Sequence, residues 1–541
     1  MAENPRCVNN VRCPGIQQRV ERVAKHGLLR STAVFGAMTF LSRIAGFVRD
    51  MLQASLFGTG AAVSAFVVAY RIPNYLRRIF AEGSFSSAFV PVLSELREKG
   101  DEAAIQDFLD HIAGALLAAV LVVTALGIAL SPWLARLFLL MAEHDSELVT
   151  LTASMMRITF PYLAFISMVA LAGSVMNSLR HFGLPAFIPV LHNLAIILAM
   201  LVLARYFEVP AYALAWGVFL AGLLQFCVMW PALARFGVRP KLKLDVRHPG
   251  VRRVFGLMLP TIFSSSVAQL NLLVGTVFAS ALVANAQSWL YYSDRLTEFP
   301  LGLFGVAIGT VILPHLSRQH AAEDRAGYNH ALDWGMKMVC LVGIPAAVGL
   351  VALAEPLCAT LFQYHKFTAA DTRMVAASVS AMSVGIPAFM LSKVLLPAFY
   401  ARQDTRTPMK VAVWTVLVNV VLISVFVTAL RLAGSAYGHI GIAFATALAG
   451  IFNAVVLLAL LRREGLYRAE AGWSAWLWRI ALACAVMVAV VLPIRLWVGD
   501  WGALVWWQRL AWLMAAVAAG GAAYGAVHAA FGLRLRHLRE V

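Results

Sequence analysis

Charge is scarce in this chain. Asp, Glu, Lys and Arg make up 13% of 541 residues, about half of what a soluble domain carries. That is too little to cover a water-facing surface. Acid is scarcer still, with 27 Asp and Glu against 44 Lys and Arg. Cysteine is rare as well. The six cysteines are scattered, only Cys7 and Cys13 lying close together, and no spacing resembles a disulfide framework or a zinc site. There is no Walker loop, no HExxH and no nucleophile elbow. No hydrophilic stretch could form a nucleotide-binding domain. No cofactor, no metal and no covalent chemistry are therefore expected, and the chain does not read as an enzyme. The basic N-terminal segment lacks the short apolar core and cleavage site of a typical signal peptide. Residues 1–30 are expected to be a disordered cytoplasmic tail.

Apolar residues are abundant, at 61%, and they come in long continuous runs. Such runs suit helices and not the short alternating strands of an outer-membrane barrel. The expected fold is an all-α polytopic membrane protein. Fourteen transmembrane helices are expected, near 33–57, 62–81, 108–134, 150–177, 185–205, 211–235, 252–281, 285–316, 328–354, 373–400, 408–430, 438–461, 474–496 and 504–531. Each is about 20 residues or longer, enough for roughly 30 Å of hydrocarbon.

The net charge of +17 does not call for nucleic acid, because inner-membrane proteins gather Lys and Arg in cytoplasmic loops. With a cytoplasmic N-terminus, the inner segments hold most of the loop bases, including the run from Arg235 to Arg253. The outer segments hold roughly one base each (Arg136, Arg205, Arg431, Arg495), with Lys366 and Arg373 sharing one loop. The asymmetry holds along the whole chain, so both termini are expected in the cytoplasm.

An internal repeat is present. "FVPVLSEL" at 89–96 resembles "ILPHLSRQ" at 312–319, a shift of about 223 residues that also carries Pro185 onto Pro408. Two six-helix lobes related by a pseudo-twofold along the membrane normal follow, with two extra C-terminal helices. The expected division is a tail at 1–30, an N-lobe at 31–238, a C-lobe at 239–463, and helices 13 and 14 with the C-terminus at 464–541. This arrangement suggests lobes that rock about a central cavity, opening it first to one side and then to the other.

Charges inside the expected spans cluster in three helices. The first holds "SRIAGFVRD", with Arg43, Arg49 and Asp50. The second, with the cytoplasmic turn expected after it, spans "RIPNYLRRIFAEGSFSSAFVP", with Arg71, Arg77, Arg78 and, at the helix end, Glu82. The eighth holds "YYSDRLTEFP", with Asp294, Arg295 and Glu298. A mid-membrane Arg costs about 2.5–3.5 kcal/mol on the insertion scale, so these side chains must face a hydrated cavity or a partner. Their surplus over local carboxylates predicts an anionic substrate, and Arg favours bidentate recognition of phosphate or carboxylate. Blander roles compete. Arg78 and Glu82 could pair at the interface, and Arg71 could cap carbonyls freed by Pro73. Asp50 could serve only to orient Arg49. Lys393 reads as snorkelling, Tyr291 and Tyr292 as packing, and His192 as a core histidine. Asn177, Asn193, Gln269, Asn271, Asn419 and Asn453 read as interhelical hydrogen bonders.

The motifs "SRIAGFVRD", "PNYLRRIFAEGSFSSAFVPVLSE", "SWLYYSDRLTEFPLGLFGVAIGTVILP" and "FYARQDTRTPMK" resemble the MurJ (MviN) family of lipid II flippases, within the multidrug/oligosaccharidyl-lipid/polysaccharide (MOP) exporter superfamily. The likeness runs from about residue 28 to the C-terminus. It implies transport of the lipid-linked peptidoglycan precursor, lipid II (an undecaprenyl-pyrophosphate-linked disaccharide pentapeptide), between leaflets. It further implies a monomer, membrane lipid as surroundings, the cell-wall synthesis machinery as partner, and no nucleic acid. The family's essential arginines correspond to Arg43, Arg49, Arg77 and Arg295. Its other substrate-site positions correspond to Asp50, Ser288, Asp294 and Glu298. One departure stands out: Ser64 occupies a position where family members often carry Asp. Helices 13 and 14 would border a groove for the polyprenyl tail. The alternatives are export of another lipid-linked oligosaccharide and multidrug or cation antiport.

Overall fold

The computed structural model describes residues 14–78, 84–140, 146–179, 181–245 and 247–532. Glu82, expected to pair with Arg78, lies outside these residues, as does the side chain of Gln269. All regular structure among the described residues is helical. The helices are α1 (Pro14–Phe57), α2 (Ala61–Arg77), α3 (Ser84–Glu98), α4 (Glu102–Phe138), α5 (Ser146–Thr159), α6 (Tyr162–Ser178), α7 (Gly183–Leu203) and α8 (Tyr212–Arg235). They continue with α9 (Pro249–Ser280), α10 (Ala286–Pro300), α11 (Val306–Ala321), α12 (Arg325–Ala352), α13 (Ala354–Leu361), α14 (Ala369–Ser383) and α15 (Ile386–Tyr400). The last four are α16 (Arg406–Leu432), α17 (Gly438–Arg463), α18 (Trp473–Val498) and α19 (Trp506–Ala530).

Element boundaries repeat at the spacing seen in the sequence. Ser84–Glu98 recurs as Val306–Ala321, Ser146–Thr159 as Ala369–Ser383, and Tyr162–Ser178 as Ile386–Tyr400. The breaks repeat with them. The expected span at 150–177 is interrupted at residues 160–161, beside Pro161, and its mate is bent by 42° between α14 and α15. Proline removes a ladder donor and crowds the preceding turn, which accounts for the first break. Sequence reading placed only a turn after α2; the structure has the amphipathic helix α3 there, packed on α6 and α9.

Nine described helical stretches are long and apolar enough to cross a membrane, or ten if α14 and α15 form one bent span. The expected spans outside this set fall on α1, α2, α9 and the α10–α11 pair. Three of these, α1, α2 and the α10–α11 pair, carry the intramembrane charges.

Each half has its own apolar core. One contains Phe89, Leu116, Met156 and Val218, and the other contains Leu332, Met390, Phe399 and Leu457. α9 belongs to both halves. Val251, Val254 and Met258 near its start join the first core, whereas Ala279 near its end packs with Ile423 and Ile442.

The halves meet tightly at the end that carries the 58–60 loop. There Asp371 accepts hydrogen bonds from Thr59 Oγ1 (2.5 Å) and Trp289 Nε1 (2.9 Å). Tyr292 donates to the Gly58 carbonyl at 3.3 Å, and the Lys366 amide donates to the Ser55 carbonyl at 3.2 Å. Gly58 has φ +69°, and a Cβ there would lie 2.7 Å from the Lys366 carbonyl oxygen. Only glycine suits both the left-handed backbone and the close approach.

Candidate functional site

Toward the opposite end the halves part around a cavity of about 700 Å³. α1, α2, α3, α6, α7, α8 and α10 line it. Five arginines face it, Arg43, Arg49, Arg77, Arg78 and Arg295, against two carboxylates, Asp50 and Glu298. The charged lining residues all come from α1, α2 and α10, the helices along the seam between the halves.

Asp50 is the hub. It is 3% exposed, and four contacts converge on its carboxylate. Arg49 donates to Oδ1 from Nη2 at 2.7 Å and from Nε at 3.1 Å. Tyr291 donates to Oδ1 at 3.0 Å, and Arg295 Nε lies 3.7 Å from Oδ2. The first two contacts are local to α1, and the other two reach α10 across the seam. Consecutive residues diverge by about 100° around a helix, so Arg49 must fold back over Asp50. It is held in that pose by Asn193 of α7, which accepts from Nη1 at 3.0 Å. Asn193 is fixed in turn by donating to the Ser42 and Pro189 carbonyls, both at 3.1 Å. Arg295 also pairs with Glu298 at 3.1 Å and lies over the Tyr291 ring, 5.0 Å from its centroid. The i,i+3 spacing of Arg295 and Glu298 on α10 sets that pair.

Arg43 reaches further along the seam. A π-helical segment at Leu301–Gly305 follows Pro300, and Arg43 Nη2 donates to the Gly302 carbonyl at 3.2 Å. π segments loosen the i→i−4 ladder and recur at functional sites. Arg77 donates from Nε to Asn74 Oδ1 at 3.1 Å, one turn earlier on α2.

The structure thus brings Arg43, Arg49, Asp50, Arg77, Arg295 and Glu298 around one cavity. It places two other expected site residues elsewhere. Ser288 is fully buried, its hydroxyl 2.8 Å from that of Ser64. Asp294 is half-buried on α10 outside the cavity lining, near Arg71. Arg71 donates to Thr276 Oγ1 of α9, a side-chain bond that joins the halves. Tyr291, expected to pack, is a hydrogen-bond donor to the hub. Asn193, expected to join helices, does so and also positions Arg49. His192, expected in the core, lines the cavity. The nearest sequence signal for these three is that Tyr291 precedes the charged run of α10, and that His192 and Asn193 follow Pro189, a proline inside α7. Gln225 also lines the cavity, and no sequence signal singles it out. Asn419 donates to Asn271 at 2.6 Å, the interhelical bond expected of both.

Two like helical halves, sealed together at one end and parted around a cationic cavity at the other, define a membrane transporter of the alternating-access class. Comparison with known proteins makes this specific. Residues 53–507 match the family model "Lipid II flippase MurJ". A Vibrio cholerae protein described as a probable lipid II flippase MurJ is 40% identical over 523 residues, which is 95% of this chain and 98% of that one. A Burkholderia cenocepacia lipid II flippase MurJ is 39% identical, covering 86% of this chain and 89% of the relative. Among solved structures, a lipid II flippase MurJ in an inward closed conformation superposes with a TM-score of 0.76 at 26% identity, covering 92% of this chain and 98% of that one. An inward-facing multidrug transporter of the MATE family shares the fold, with a TM-score of 0.64 at 13% identity, covering 79% of this chain and 95% of that one. The chain belongs to the MurJ family.

Proposed function

We propose that this protein flips lipid II from the cytoplasmic to the periplasmic leaflet of the bacterial inner membrane. The observation that carries this reading is the arginine surplus of a cavity built on the seam between two lobes. Four of those arginines would cost on the order of 10 kcal/mol facing lipid. In a hydrated cavity they instead form a site for pyrophosphate and peptide carboxylates, with Arg43, Arg49, Arg77 and Arg295 as the binding groups. Loop charges put the parted end in the cytoplasm and the sealed 58–60 end in the periplasm, with fourteen crossings and both termini inside. The lobes are residues 31–238 and 239–463, with 464–541 appended. The polyprenyl chain stays in lipid or along α18 and α19, so only the head crosses.

Rocking of the lobes opens the periplasmic end and releases the head. With the cell interior negative, outward movement of each anionic charge is favoured by about 2.3 kcal/mol per 100 mV. The protein acts on no covalent bond. Multidrug antiport is disfavoured because a cation site would be dominated by carboxylates. In a flipping assay at matched expression, Arg77→Ala and Arg295→Ala should each abolish or strongly reduce transport. Wild-type rates in both variants would overturn the reading, and failure of the gene to complement lipid II flippase depletion would do so as well.

A further inference from the structure

The segment between α8 and α9, where the chain passes from one half to the other, lies across the start of α4. The Lys241 amide donates to Asp110 Oδ1 at 2.8 Å and the Lys243 amide to the Asp110 carbonyl at 3.2 Å. A Cβ at Gly114 would run into the Lys243 carbonyl, so the close approach needs glycine. This pinning brings three metal-ligating side chains together. Asp107 and His111 are four apart on α4 and share a face, and His248 arrives from the segment, just ahead of α9. One ligand atom from each lies within 4.8 Å of the other two. None of the three lines the arginine cavity.

The spacing within the cluster is informative. His111 Nδ1 lies 3.4 Å from Asp107 Oδ1, and His248 Nε2 lies 3.4 Å from Asp107 Oδ2. A charge-assisted hydrogen bond to a carboxylate runs to about 2.7–2.9 Å, so these contacts are long for one. They match two ligands of a tetrahedral zinc ion, because bonds of about 2.0–2.1 Å leave the ligand atoms roughly 3.3–3.4 Å apart. The two imidazoles stack, with centroids 4.7 Å and planes 10° apart. All three residues are partly exposed, which leaves a path for an ion. His248 Nδ1 is buried, so Nε2 is the nitrogen that serves. Lys243 is the rival cation, with Nζ 3.1 Å from Asp107 Oδ1 and 3.2 Å from Asp110 Oδ2. Its side chain is half-exposed and can withdraw to Asp110 alone. His111 Nδ1 also lies 2.8 Å from the Asp107 carbonyl and donates to it. A metal takes the place of that proton, and the ring then carries its proton on Nε2.

The geometry points to a transition-metal site in which Asp107, His111 and His248 are three ligands and water is the fourth. Bound metal fastens the connection between the halves to α4. Two imidazoles and a carboxylate suit zinc, cobalt or nickel, whereas magnesium and calcium take oxygen ligands. The cluster escaped the sequence because its ligands are split between α4 and a distant segment, and no local spacing reveals it.

The test uses the purified full chain without a histidine tag, stripped with chelator and titrated with Co²⁺ and then Zn²⁺. Cobalt should give the visible absorption of a four-coordinate ion, and zinc should displace it. His111→Ala and His248→Ala should each weaken binding about 10- to 100-fold, no less than the loss of a ligand's outer support costs. Lys243→Gln should tighten binding about two- to fivefold, because it removes a competing like charge. That gain cannot be mimicked by poor folding, so it carries the test if a histidine variant folds badly. Zinc should also slow hydrogen exchange across residues 241–248 in the wild type and not in His248→Ala. Absence of the cobalt absorption, affinities indifferent to both histidine substitutions, or weaker binding by Lys243→Gln would overturn the proposal.

Discussion

Replacing Asp50 by Asn tests whether the hub couples the two halves. Asn keeps the shape and one acceptor oxygen, so the Tyr291 contact and both Arg49 contacts, all made to Oδ1, can remain. It removes the negative charge and turns an amide donor toward Arg295 Nε, which lies 3.7 Å from Oδ2 in the native protein. Unit charges at that distance attract by about 4 kcal/mol at an effective dielectric constant near 20. The Arg295 side chain is 35% exposed and also meets Glu298, so screening reduces the net term to about 1–2 kcal/mol. The assay is a double-mutant cycle of Asp50→Asn with Arg295→Gln, read as unfolding free energy in mixed micelles. The expected coupling energy is about 1–2 kcal/mol. Effects that add to within about 0.5 kcal/mol would show that Arg295 does not feel Asp50, and the reasoning that makes Asp50 a link between lobes would fail.

Gly302→Ala puts a methyl group against the Arg43 guanidinium; because the obstacle is the end of a flexible side chain, stability should change by less than about 1 kcal/mol while flipping falls, and unchanged flipping would dissociate Arg43 from the site. Ser288→Ala removes the hydroxyl contact with Ser64 and leaves a buried group without its partner, so spin-label distances across the sealed end should show about a three- to tenfold larger open population, the equivalent of about 1 kcal/mol. Glu95 lies outside the membrane spans, where hydrogen bonds from Lys99 and Arg253 hold its carboxyl below the usual carboxylate range. A depressed carboxylate stabilises the fold above its unfolded pKa and loses that contribution as pH falls through the folded one. Glu95→Gln should therefore lower the melting temperature at neutral pH and have no effect in acid below the native pKa, and a shift of equal size at both pH values would refute the pairing.

The overall plan was legible in the sequence because two strong signals agree. Membrane helices announce themselves by apolar length, and the echo of "FVPVLSEL" in "ILPHLSRQ" located the second half. Boundaries such as α5 and α14 then fall where the repeat puts them. The arginines were legible because a charge in a bilayer has few structural uses. The rest of the site depends on which way a side chain turns once helices pack. Tyr291 looks like any interfacial aromatic until Asp50 is seen beneath its hydroxyl. Ser288 shares a helix with Arg295, yet it points to Ser64 at the seam and not into the cavity. Gln225 is one amide in an apolar helix, and its place on the cavity wall exists only in three dimensions. The helical break at Leu301–Gly305 was missed because a π segment has no composition of its own.

The double membership of α9 has a counterpart at the other end of the chain. Asp110 of α4 accepts from the Lys241 amide at 2.8 Å, in the segment leading into α9. Its mate 223 residues on, Asp333 of α12, accepts from Tyr467 at 2.6 Å and from Trp473 at 2.7 Å, at the start of α18. Each half thus hands the next helix to a buried carboxylate on its own third span, and α18 is to α12 what α9 is to α4. By architecture the molecule is two copies and the opening of a third. The fragment serves as an end cap: it supplies donors to a carboxylate that hydrocarbon could never satisfy. A chain cut after α17 would not simply be shorter. It would strip Asp333 of Tyr467 and Trp473 and leave it to Lys337 of its own helix, 2.6 Å away, as an unfinished tiling presents a raw edge.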